Sequence, residues 1–178
     1  PMAAKYLHYT YDQLNTFCMD AFQKFGFSES EARIISDVLL LSDLYGIESH
    51  GMQRLVRYHK GIEKGMIDVH AKPEIVHETP VSAVIDAHDA MGQLVSHQAM
   101  ELAIEKAKKT GMAIVSVRNS NHFGIAGYYA KMACDQGLVG MAMTNSEAIM
   151  VPTYARMAMI GSNPIALAVP AEPYPFFF

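Results

Sequence analysis

Two polar segments interrupt an otherwise regular apolar pattern, and both contain histidine. The first is Ser49-His50-Gly51, followed by Arg54 and Tyr58. On a helix the spacing of Arg54 and Tyr58 puts their side chains on one face. Arg54, in the first turn, would stand close to the histidine of the preceding loop. A hydroxyl, an imidazole, a guanidinium and a phenol around one spot suit an anionic substrate that needs a proton delivered. Arginine holds a carboxylate in a planar fork, and histidine gives or takes a proton near neutral pH. A plainer reading stays open, in which His50 caps a loop and Arg54 and Tyr58 pair with surface acids.

The second segment is Arg118-Asn119-Ser120-Asn121-His122-Phe123-Gly124. It follows an apolar run that reads as a strand and precedes a helical pattern. Ligands bind at such junctions because strand ends and helix N-termini expose free backbone N–H groups. Gly124 and Gly127 let a backbone approach closely. The alternative is an ordinary connection whose Asn and Ser residues cap the helix. His59, His70, His77, His88 and His97 show no partner pattern and read as surface or core residues. Gly124-Ile125-Ala126-Gly127 is not GxGxxG, and no Walker loop, GxSxG elbow or HExxH helix occurs. Neither cysteine has neighbouring ligands, so no zinc site is expected. A nucleotide site here would have to be non-Rossmann.

The elements that must position these residues follow from periodicity. Thr10 with Gln13 fits a capping box, and Leu14, Phe17, Cys18, Ala21, Phe22 and Phe25 follow at helical spacing. Ser28 with Glu31 opens a second helix, with Ile35, Val38, Leu39 and Ser42 on its stripe. A third helix carries Arg54, Leu55, Tyr58 and Ile62. Pro73 to His77 and Val81 to Ala87 alternate like short strands around Thr79-Pro80. Gly92 to Thr110 reads as a helix, Met112 to Val117 as a buried strand, Ile125 to Gln136 as a helix. Leu138 to Thr144 and Ile165 to Val169 complete the strands. The expected fold class is α/β (α+β). A helical domain, residues 1–68, carries the Ser-His-Gly motif, and residues 69–178 form part of a layered α/β domain for cofactor and substrate.

Bulk properties exclude several classes. With 178 residues, 51% of them hydrophobic, the chain can bury one substantial core or two modest ones. A net charge of −4 offers no footprint for nucleic acid or an anionic membrane. The Lys108-Lys109 pair reads as a solvated helix end. Cys18 and Cys134 lie in apolar helical patterns and read as reduced, buried thiols, in keeping with a cytoplasmic chain. No run approaches the ~20 apolar residues of a membrane span. Pro1 ahead of Met2 reads as an expression scar, with no signal peptide behind it. The closing PAEPYPFFF, from Pro170, would be an aggregation liability if exposed, so a truncated chain with part of its core elsewhere is expected.

The stretches GIESHGMQRLVRY, RNSNHFGIAGYYA, GLVGMAMTNSEAIMVP and GSNPIALAVP resemble the malate/L-lactate dehydrogenase family, from about Tyr11 to Pro170. That family also contains sulfolactate, ureidoglycolate, diketogulonate and cyclic-imine carboxylate oxidoreductases. The resemblance implies a non-Rossmann oxidoreductase using NAD or NADP, with its active site near a homodimer interface. It implies a reaction between a 2-oxo and a 2-hydroxy acid, of malate or lactate type. His50 would be the acid/base, oriented by Ser49, with Arg54 on the substrate carboxylate and Tyr58 beside it. In other members the acid/base falls on the histidine matching His122, and the two assignments compete. His122, Phe123, Gly124, Ile125, Ala126 and Ser146 would approach the cofactor, and Ser162 would lie by the substrate. Members run about twice as long, so a companion chain carrying the C-terminal half is one expectation. An imine-carboxylate reductase, a ureidoglycolate dehydrogenase and a non-catalytic assembly subunit are the other readings.

Overall fold

The structure, a computed structural model, describes residues 7–178. Pro1 and Met2 lie outside the described residues. Helix α1 (Tyr11–Lys24) opens on the expected capping box: Thr10 Oγ1 accepts the Gln13 N–H while the Gln13 side chain accepts the Thr10 N–H. Helix α2 (Glu29–Leu44) repeats the device with Ser28 and Glu31. Each box satisfies two backbone donors that a helix start leaves unpaired. Two short 3-10 turns (Glu48–His50 and Met52–Arg54) then lead into α3 (Leu55–Glu63).

The chain divides into two compact units. Among the described residues, the first comprises 7–73, Ala87–Leu94 and Asn119–Gly124. The boundary expected after residue 68 is therefore drawn differently: two later segments return to the helical unit and complete it. Its core gathers Cys18, Phe22, Ile35, Leu39, Tyr58 and Met91, all essentially inaccessible. Phe22 meets Phe25 and Phe27 edge to face, with ring centroids 5.7 and 6.2 Å apart. Burying a side chain of this size stabilises by roughly 1.5–3 kcal/mol, so the helices hold by their apolar stripes more than by their caps. Burial raises the Cys18 thiol to about 11, which leaves it protonated and inert.

The second unit comprises Glu74–Asp86, Val95–Arg118 and Ile125–Phe178. Strands β1 (Glu74–Thr79) and β2 (Ser82–Asp86) form an antiparallel hairpin, and β3 (Ile114–Arg118) pairs parallel to β2. Helix α4 (Gly92–Thr110) makes the crossover that parallel pairing requires. Arg118 Nε donates to Asp86 Oδ2 at 2.9 Å where β2 and β3 end. Lys106, buried in α4, donates to Glu78 and to the Thr79 carbonyl. Helix α5 (Ala126–Cys134) packs on β4 (Gly140–Met143) and β5 (Ile165–Val169). Strand β6 (Phe176–Phe177) adds antiparallel to β5.

One expectation is corrected. The run Met112–Val117 is not buried: β3 is an edge strand, with Ile114 62% exposed. Phe176 and Phe177 form β6, and all three closing phenylalanines stay open, Phe178 at 80%. In both cases continuous apolarity marks a strand without saying what covers it. Among the described residues β2–β3 is the one parallel pairing, so no doubly wound sheet is present. No helix among them is long and apolar enough to cross a membrane.

Candidate active site

The first unit brings both histidine segments together. His50 lies in the 3-10 turn after α2, and its ring stacks on that of His122, with centroids 5.3 Å apart and planes at 29°. Ser49 Oγ lies 2.9 Å from His50 Nδ1. Arg54 closes the next turn and donates through Nε to the Ser49 carbonyl. That bond fixes the guanidinium against the histidine loop and uses one of its five donors. The two terminal nitrogens are the pair that, in arginine generally, meets carboxylates in a planar fork.

Why the turn sits there follows from Asp43, near the end of α2. Its Oδ2 accepts the Met52 N–H at 2.8 Å. A β-carbon on residue 51 would lie 1.8 Å from Asp43 Oδ1, so only glycine allows the carboxylate to reach Met52. Gly51 thus explains the third letter of Ser-His-Gly. Burial raises the Asp43 carboxyl above its usual range, and the Met52 N–H works against that shift.

Tyr58 does not pair with a surface acid. It is 1% exposed, and its hydroxyl lies 2.8 Å from His122 Nδ1 and 2.8 Å from Gln93 Nε2. His122 is carried by the loop after β3, which Asn121 fastens. The Asn121 Nδ2 donates to the carbonyls of Met66, Asp89 and Ala90 at 3.0, 2.9 and 3.2 Å. Gly124, at φ +83°, turns the chain so that its N–H points back to His122 Nδ1 at 3.3 Å. A side chain there would also meet Val38 at 2.5 Å. Tight packing and a left-handed backbone both require glycine.

The electrostatics are those of a cationic, partly dry site. Burial, then the charge of Arg54, lowers His122 to about 4, with His50 and Arg57 adding to the shift. His50 is lowered by burial first and by Arg54 and Arg57 after it. Burial raises Tyr58 to about 12. At neutral pH both imidazoles are therefore neutral and the phenol keeps its proton. A cavity of about 490 Å³ opens against Tyr58, Asn121 and His122, and its lining includes Arg57, Lys60 and Lys64.

The other expected site residues lie in the second unit. Ser146 Oγ and Ser162 Oγ are 3.3 Å apart, and Asn163 Oδ1 accepts the Ser146 N–H at 2.9 Å. Asn163 in turn donates its own N–H to Ser146 Oγ at 3.3 Å, closing the Gly-Ser-Asn-Pro turn on Ser146. Ile125 is the N-cap of α5 and makes no side-chain cap, and Ala126 is the first helical residue. A β-carbon at Gly127 would meet nothing within 4 Å. Phe123 lies between His122 and Gly124 in the first unit.

Three residues of the site were not visible beforehand as such. Gln93 is a buried amide on the apolar face of α4, flanked by Met91 and Val95, and that misplaced polarity is the signal that could have found it. Asn121 stood in the second polar segment without a role. Asp43 gave no signal, because its work is to hold a backbone.

Two histidines, an arginine and a buried tyrosine thus gather on the helical unit, and the same chain carries a mixed sheet unit. The chain belongs to the malate/L-lactate dehydrogenase family, whose profile matches residues 9–178. It is 48% identical over 171 residues to a malate dehydrogenase of Pyrococcus abyssi, covering 96% of this chain and 47% of that protein. It is 43% identical to an L-sulfolactate dehydrogenase of Methanocaldococcus jannaschii, covering 89% and 46%. The solved malate dehydrogenase of Pyrococcus horikoshii superposes with a TM-score of 0.95 at 45% identity, covering 99% of this chain and 51% of that one. The chain spans about half the length of these relatives.

Proposed function

We propose that this chain supplies the acid/base and carboxylate-binding groups of an NAD(P)-dependent oxidoreductase that interconverts a 2-oxo acid and a 2-hydroxy acid of malate type. The observation that carries the reading is the stack of His50 on His122 with Arg54 bound to the same loop. In reduction, a proton goes to the carbonyl oxygen as the carbonyl carbon accepts hydride, and the product is the 2-hydroxy acid. Nicotinamide, when bound, supplies that hydride. His50, protonated once the negative charge of the substrate binds beside it, delivers the proton: its Nδ1 is held by Ser49, which leaves Nε2–H for the substrate. Arg54 grips the carboxylate and fixes the carbonyl against the histidine. His122 through Ala126, with Ser146, would hold the cofactor, and Ser162 lies next to Ser146 for the substrate. Lys60, Lys64 and Arg57 around the cavity favour a substrate with a second negative group, as in a dicarboxylate.

The test is loss of nicotinamide absorbance when the complete reading frame meets oxaloacetate, pyruvate and sulfopyruvate, with NADH and NADPH in separate series. Turnover of the dianionic acids that disappears in His50→Ala is expected. Turnover that survives the substitution moves the acid/base role to His122. No turnover with any pair removes the 2-oxo acid reading.

A further inference from the structure

Hydrogen-bond direction through the buried chain Gln93–Tyr58–His122 can be read at one end from a group that cannot turn over. The Gly124 N–H is a backbone donor, and its acceptor is His122 Nδ1, at 3.3 Å. A nitrogen that accepts carries no proton, so the neutral ring of His122 has its proton on Nε2. The Tyr58 hydroxyl, 2.8 Å from the same Nδ1, must then donate to it. Having spent its only proton, the Tyr58 oxygen accepts from the other side, where Gln93 Nε2 lies at 2.8 Å. Each step leaves one choice for the next.

Gln93 is fully buried, and its carbonyl Oε1 has no hydrogen-bond partner among the described residues. Leaving an acceptor unpaired in the interior costs about 1–3 kcal/mol. A hydrophobic side chain of the same length would avoid that cost, so the Nε2 donor is what the position retains. Its effect reaches His122 only through Tyr58.

We infer that Gln93 is a positioning residue that sets the direction of this chain and holds His122 as a neutral Nε2–H donor, with its Nδ1 closed to protons. His122 then offers a hydrogen bond to a substrate or cofactor oxygen, and proton transfer is left to His50. The catalytic meaning rests on the oxidoreductase reading above; the tautomer does not.

The experiment is a long-range proton–nitrogen correlation spectrum of the complete gene product labelled with nitrogen-15 histidine. The His122 signals are identified by their disappearance in His122→Asn. At pH 7 we expect a pyridine-like Nδ1 and a pyrrole-like Nε2. A pyrrole-like Nδ1, alone or with Nε2, overturns the inference. Gln93→Glu is recorded near pH ~9.5, above the range to which burial carries a glutamate. There the side chain can only accept, so the Tyr58 proton turns toward it and Nδ1 becomes pyrrole-like. A folded variant whose Nδ1 stays pyridine-like removes the role of Gln93. If that variant does not fold, Gln93→Met carries the test: an averaged Nδ1 shift is expected, and a wild-type shift overturns the assignment. A wrong tautomer with intact turnover sinks this inference alone, and a correct tautomer without 2-oxo acid turnover sinks only the earlier reading.

Discussion

The carboxylate of Asp43 occupies the space that a β-carbon on Gly51 would need, and from there it holds the Met52 N–H at 2.8 Å. The first prediction follows from that contact. Gly51→Ala forces the carboxylate away and moves the turn that carries His50. We expect a loss of about 1–3 kcal/mol in urea unfolding and at least a tenfold fall in kcat/KM. Asp43→Asn, which keeps an acceptor, is expected to be much milder in the same two measurements.

Asn121 offers a second test. Its amide nitrogen serves three carbonyls, so Asn121→Ala removes the loop's fastening and leaves those acceptors to water. A loss of about 1–3 kcal/mol is expected. Asn121→Asp is expected to be worse despite its shape, because a carboxylate would face three carbonyl oxygens with no proton between them. Thermal melts of the two variants at pH 7 rank them.

Stability should fall on acidification, for a reason the histidines supply. His122 is held near 4 by burial and by Arg54, whereas in the unfolded chain it takes its proton near 6.5. Between those values the unfolded state binds more protons, so stability is full above the unfolded value and declines as pH falls toward 4. His50 is lowered in the same direction and adds to the slope. The decline attributable to His122 is roughly 2–3 kcal/mol across the window. Urea midpoints at pH 7.5 and 5 measure it, and His122→Asn should flatten the difference.

Arg54→Lys separates charge from geometry. A lysine keeps the positive charge but loses the planar fork and the Nε bond to the Ser49 carbonyl. KM for a 2-oxo acid is expected to rise and kcat to fall, together about 100-fold in kcat/KM. An unchanged kcat/KM removes Arg54 from the site.

Much of this was legible in the sequence where the cause is local. The capping boxes at Thr10 and Ser28 mark two helix starts within a residue, and the apolar run Ile165–Val169 marks β5 to its ends. Ser49, His50, Arg54, Tyr58 and His122 stand out by type. What spacing alone does not carry is partnership: Tyr58 and His122 are 64 residues apart, and their hydrogen bond depends on how α3 and the loop after β3 meet. Gln93 is invisible for the same reason, since its meaning lies in Tyr58. The exposure of β3 is the converse case, in which a run of apolar residues fixes a strand and leaves its covering unspecified.

The discontinuous make-up of the helical unit bears on how the protein is born. Its last segment, Asn119–Gly124, comes after all of β1, β2, α4 and β3 have been synthesised. A ribosome delivers the chain from the N-terminus at about 5–20 residues per second. For several seconds, then, the nascent helices hold Tyr58 with no histidine to bond. A chaperone that shields the open face of α3 during that interval would protect the site more than the fold.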